Sequence, residues 1–145
     1  MTGFNHTLVG ISIAAAVLQP VLAPLLAFAS HFVLDALPHF GQARWLPTWS
    51  KRFIWMLVID AVLCFGALAL GIILFPDIWW LVALCAFAAT LPDFLWNLQK
   101  FAPKHWFFRF HTRIQWGERP WGLWIELPFG LMMVGLLFYL HNIGG

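Results

Sequence analysis

The residues of this chain that are capable of chemistry are few, and most of them sit where charge is costly. Of its six acidic side chains, Asp35, Asp60, Asp93 and Glu126 fall inside apolar runs. A carboxylate at the centre of a membrane helix costs about 2.5 to 3.5 kcal/mol on insertion scales, so such groups are retained where they face a partner, a cavity or a metal. His31 and Asp35 are spaced i, i+4, which puts them on one helix face where both can bind one ion. His6 opens the first apolar run, His39 follows Asp35, and His111 lies in a later basic segment. Imidazole together with carboxylate suits zinc, manganese or iron better than calcium. The plainer readings stand beside this one. A lone histidine on an apolar face is commonly a hydrogen-bonded core residue, which fits His39, and His105 on the basic segment fits headgroup contact. Asp60 and Glu126 are either protonated or orient histidines, and Asn97 is either a helix cap or a hydrogen-bond partner of the site.

The elements that must position these groups follow from composition. The chain has 145 residues, 62% hydrophobic and 10% charged, whereas soluble domains carry about 25% charged residues. Its apolar runs approach the roughly 20 residues that cross a bilayer. The expected fold is all-α: a polytopic membrane bundle forming a single domain over residues 1–145. It has about five hydrophobic helices, an N-terminal hairpin plus three spans, and one interfacial amphipathic helix. A net charge of +2 argues against a nucleic-acid partner. Cys64 and Cys85 lie within apolar runs, without metal or redox spacing, and are expected as buried free thiols.

Gln19-Pro20 and Pro24 interrupt the first stretch, because proline removes a helix hydrogen bond. This predicts one helix from about Asn5, as N-cap, to Leu18 and a second from about Pro20 to Leu37, the alternative being one kinked span. Pro38 to Lys51 reads as a surface loop with interfacial Trp45 and Trp49. Phe53 to Phe75 and Ile78 to about Asn97 read as spans joined by a turn at Pro76-Asp77. Pro103 is placed to start a short helix to Gln115, with Lys104, Arg109 and Arg113 set against Trp106, Phe107, Phe110 and Ile114 in the membrane interface. Trp121 to Tyr139 is the last span, with a kink expected at Pro128.

All eight Lys and Arg then fall on one side, which the positive-inside rule makes cytoplasmic. The N-terminus is expected inside and the C-terminus outside. On this topology Asp35, Asp60, Asp93 and Glu126 lie toward the same leaflet as His6, His31, His39 and His111. The hairpin should bring His6 within about 10 Å of His31, since packed helix axes are 8 to 10 Å apart.

The stretch Ser30-His31-Phe32-Val33-Leu34-Asp35-Ala36-Leu37-Pro38-His39, with His6 before it and Leu91-Pro92-Asp93 after it, resembles the bacterial inner-membrane metal-dependent hydrolase family. That family looks distantly similar to zinc-dependent phospholipase C and single-strand nucleases, which share the His-x-x-x-Asp element. Leu95 and Trp96 stand where better-known relatives carry a second acid and a histidine, and the order of motifs differs. The resemblance implies His6, His31, Asp35 and Asp93 as ligands of a divalent metal, zinc first, and matches His111 to a later histidine segment. It implies a hydrolase in the bacterial cytoplasmic membrane, acting on a phosphoester such as a lipid headgroup at the cytoplasmic interface. In that reading Asp60 or Glu126 takes a proton, His111 is catalytic, and Arg109 or Arg113 holds the phosphate. The competing expectations are a small metal-binding or transport protein and a non-catalytic assembly subunit, both among membrane lipids.

Overall fold

The first apolar stretch folds back on itself in the computed structural model, which describes residues 1–41, 50–102 and 104–144. Helices α1 (Gly3–Val17) and α2 (Leu22–Asp35) form the expected hairpin. The turn has an identifiable construction. Leu18 adopts the left-handed conformation with φ 54° and returns its N–H to the Ala14 carbonyl at 3.2 Å. Gln19 Oε1 then accepts the N–H groups of Val21 and Leu22 at 2.8 and 2.5 Å, supplying the partners that the first N–H groups of a helix lack. At 15 and 14 residues these helices rise only about 22 Å, less than the roughly 30 Å of a hydrocarbon core.

Helix α3 (Lys51–Leu74) begins at Ser50, whose hydroxyl accepts the Phe53 N–H at 3.3 Å, an N-cap bond. A 3₁₀ turn over Pro76–Ile78 leads into α4 (Trp79–Trp96). Helices α5 (Trp106–Ile114) and α6 (Leu123–Gly144) follow, and α6 runs unbroken through Pro128. Three segments are long and apolar enough to cross a membrane: Lys51–Leu74, Pro76–Leu95 and Leu123–Gly144.

Several expected boundaries moved: α2 spans Leu22–Asp35 and not Pro20 to Leu37, α6 extends to Gly144 and not Tyr139, and two helix starts differ. Asn5 is not the cap of α1; the helix starts at Gly3 behind Thr2, and Asn5 is buried inside it. Helix α5 starts at Trp106 because the His105 ring accepts the Phe107 N–H at 3.3 Å, while Pro103 lies outside the described residues. So does most of the expected surface loop, including Arg44, Trp45 and Trp49.

Helix α1 is the hub, packed against α2, α3, α4 and α6. Leu8, Ile11 and Ala14 meet Ala27, Val82, Cys85, Ala89 and Leu137 in the core. Gly10 makes the closest approach: a Cβ there would lie 2.5 Å from the Cys85 carbonyl oxygen, the kind of small-residue contact by which membrane helices pack closely. Trp55, Ile59, Val62 and Phe65 of α3 are exposed and suit lipid.

The start of α1, the end of α2, the start of α3, the end of α4 and the start of α6 gather at one end of the bundle. A short parallel pair straps that end, β1 (His39–Phe40) against β2 (Glu118–Arg119). Gly117 fits beneath the strap, where a Cβ would come 2.5 Å from the Leu37 carbonyl oxygen. Lys51, Arg52, Lys104, Arg109, Arg113 and Arg119 flank the same end, whereas Asp77 and His141 mark the other.

Candidate metal centre

Four ligand-capable side chains from three helices meet at the strapped end. His31, Asp35, Asp93 and His111 each present one nitrogen or oxygen, and the four atoms lie within 4.8 Å of one another. His31 Nε2 is 3.0 Å from His111 Nε2, 3.2 Å from Asp35 Oδ2 and 3.6 Å from Asp93 Oδ1. His111 Nε2 is 3.4 Å from Asp35 Oδ2 and 3.6 Å from Asp93 Oδ1. A tetrahedral zinc site with bonds of roughly 2.0 to 2.1 Å has ligand edges of about 3.3 Å, and these five spacings, at 3.0 to 3.6 Å, lie near that value.

Helix geometry explains the convergence. His31 and Asp35 share a face of α2, as their spacing predicts. Asp93 follows Pro92 near the end of α4, where the missing proline N–H loosens the helical bonding. His111 projects from the buried face of α5, which also carries Phe108 and seats its rings on Phe32; the Phe32 and Phe110 centroids are 5.4 Å apart.

The tautomer of His31 is set by its neighbour. Its Nδ1 lies 2.8 Å from the Ala89 carbonyl, which can only accept, so Nδ1 carries the hydrogen and a neutral ring turns its Nε2 lone pair inward. A histidine that ligates a metal is commonly fixed in this way. The His31 Nε2 lone pair and two carboxylates so close together repel one another unless a cation or protons lie among them. The donor set fits zinc or another first-row divalent ion.

His6 stands beside this group, not in it. Its ring stacks on His31 at 4.1 Å, and its Nε2 lies 3.2 Å from Asp35 Oδ1, the oxygen turned away from the cluster. The hairpin expectation is met, and His6 contacts the Asp35 carboxylate. The Met1 amine reaches the same oxygen. Gln115 Nε2 donates to Asp35 Oδ2 at 3.5 Å, a contact that sequence reasoning missed although His111 and Gln115 are spaced i, i+4. Burial distinguishes Asp93: its side chain is 42% exposed while His31 and Asp35 are at 1% or less, so solvent reaches the cluster at Asp93.

Asp60 and Glu126 do not join the cluster as expected, for a physical reason: Asp60 is held by the N-terminal segment, and Glu126 by that segment together with Phe40 of β1. Asp60 accepts the N–H groups of Gly3 and Phe4 at 2.9 and 3.0 Å. Glu126 Oε2 accepts from Thr2 N at 2.9 Å and Asn5 Nδ2 at 3.3 Å, and Oε1 accepts from Phe40 N at 2.8 Å. Free N–H groups at a helix start carry partial positive charge, which makes acids tolerable in the surrounding apolar helices. His39 behaves as the core residue its setting suggested. It donates Nδ1–H to the Leu37 carbonyl at 2.8 Å, and burial holds its imidazole below the usual histidine range.

Arg109 and Arg113 are placed differently from the expectation that they hold a phosphate at the metal. Each lies two residues from His111, which on a helix of 3.6 residues per turn is close to the opposite face. They line a shallow cleft with Trp106 and Phe110. Cys64 and Cys85 are free thiols.

The architecture defines a class: a polytopic α-helical membrane protein with a buried histidine and aspartate cluster at one end of the bundle. Comparison of the chain with family models, with curated proteins and with solved structures finds no match.

Proposed function

We propose that this protein is a membrane-embedded, metal-dependent hydrolase whose centre is held by His31, Asp35, Asp93 and His111 and whose substrate is a phosphoester such as a lipid headgroup. The observation that carries this reading is the convergence of four donor atoms within 4.8 Å of one another, with His31 Nδ1 fixed on the Ala89 carbonyl. A bound zinc ion would supply Lewis acidity and a water deprotonated near neutral pH. The chain supplies the rest. His6 and Gln115 hold Asp35 from opposite sides of its carboxylate. Phe32 and Phe107 wall His111 against water, and substrate enters at Asp93. The basic residues around this end support, by the positive-inside rule, a cytoplasmic orientation for it, and with it the reading of a bacterial inner-membrane protein with its N-terminus inside and its C-terminus outside.

A second reading has its own support. His6, Asp35, His31 and His111 form a continuous chain of contacts of 3.0 to 3.2 Å, an arrangement that also suits ion or proton handling without hydrolysis.

The test is elemental analysis of detergent-purified protein together with turnover of a chromogenic phosphodiester. Wild type should carry zinc in about a 1:1 ratio and lose turnover on chelation, as expected for a catalytic metal, and His31→Ala should lack both. Stoichiometric metal without turnover of any phosphoester favours the ion-handling reading. A correctly folded wild type without metal overturns both metal-based readings.

A further inference from the structure

The outer face of α5 supplies none of the four clustered donor atoms, yet it is built from a specific set of groups. Trp106, Arg109, Phe110 and Arg113 follow one another at i, i+3, i+4 and i+7, a single helical face, and line one shallow cleft. Trp106 is 70% exposed, and Phe110, one side of whose ring meets Phe32, is still 45% exposed. Among the described residues, which include every acid of the chain, no carboxylate lies within 4.0 Å of either guanidinium. The opposite face, with Phe108 and His111, is buried against the bundle.

We propose that this face is a binding site for the phosphate of an anionic phospholipid, independent of any reaction at the metal cluster. Paired guanidiniums recognise phosphate with directed N–H donors. Exposed Trp and Phe are most stable at the boundary between headgroups and acyl chains. Only a lipid satisfies both at once, since a soluble anion would leave Trp106 and Phe110 in water. The site also belongs to the end of the molecule that carries Lys51, Arg52, Lys104 and Arg119, where the surrounding positive charge favours an anionic headgroup.

The probe is phosphatidylglycerol, titrated against phosphatidylcholine of the same chain length on detergent-purified full-length protein and read by native mass spectrometry. Wild type should prefer phosphatidylglycerol, and Arg109→Gln/Arg113→Gln should lose that preference, weakening binding on the order of tenfold. Helical content by circular dichroism checks the fold of the double variant. If it fails to fold, Arg113→Gln alone should show a smaller loss of the same sign. Equal binding of the two lipids, or a preference that survives both substitutions, overturns the proposal. Displacement of the lipid by millimolar inorganic phosphate overturns it in favour of a soluble-anion site. Loss of the preference with phosphodiester turnover and metal content intact separates this site from the hydrolase reading.

Discussion

His31 and His111, separated by 80 positions in the chain, meet Nε2 to Nε2 at 3.0 Å with their rings stacked at 5.3 Å. One is carried by a helix of the hairpin and the other by a short helix outside the long spans. The cluster is therefore complete only when α5 is seated on α2, and the aromatic contacts of Phe32 with Phe107 and Phe110 hold that seat.

The proposed metal centre predicts a ranking of metal affinities. His6→Phe keeps a ring stacked on His31 and removes only the contact to Asp35, so zinc affinity should fall about 10- to 100-fold. His111→Ala removes a donor atom and should weaken binding further. Competition with a chromophoric chelator measures both, and equal affinities in the two variants and wild type would remove these residues from the site.

Asp60 should matter for folding and not for metal. Asp60→Ala leaves the Gly3 and Phe4 N–H groups without acceptors, a loss of about 1 to 3 kcal/mol for buried polar groups. Thermal unfolding in detergent should show the loss while zinc content is unchanged. The opposite pattern, intact stability with metal lost, would return Asp60 to the centre.

Topology is open to a direct reading. A reporter fused after Phe101 should be cytoplasmic and one fused after Gly145 external, because the basic residues collect between α4 and α6 and around the start of α3. A cytoplasmic reading at both positions would contradict the proposed orientation.

The hairpin turn carries local strain that can be relieved. Leu18 has φ 54° and is 62% exposed, so Leu18→Gly should raise stability by up to about 1 kcal/mol. Leu18→Val, with a branched Cβ in the same conformation, should lower it. A stability loss in the glycine variant would show that Leu18 packing outweighs backbone strain.

The hairpin, the three long spans and the common end of the acids were legible from the residues. Pro20 falls in the turn between α1 and α2, where its missing N–H disfavours helix continuation; apolar length sets what can cross a bilayer, and basic loops mark one side. The pairing of His31 with Asp35 was legible for the same reason, since helical periodicity is a local property. What sequence could not decide was which polar groups share a partner. Asp35, Asp60, Asp93 and Glu126 are equally costly in an apolar helix, and spacing along separate helices says nothing of their mutual rotation. Packing around α1 turned Asp35 and Asp93 toward the histidines, gave Asp60 to the free N–H groups at the helix start, and shared Glu126 between the N-terminal segment and Phe40. In the same way the seating of α5 on Phe32 sent His111 inward and Arg109 and Arg113 outward. The division between cluster and scaffold is a tertiary one, because a buried carboxylate can be satisfied equally by a helix start or by ligand-binding neighbours, and only the contacts between helices select one.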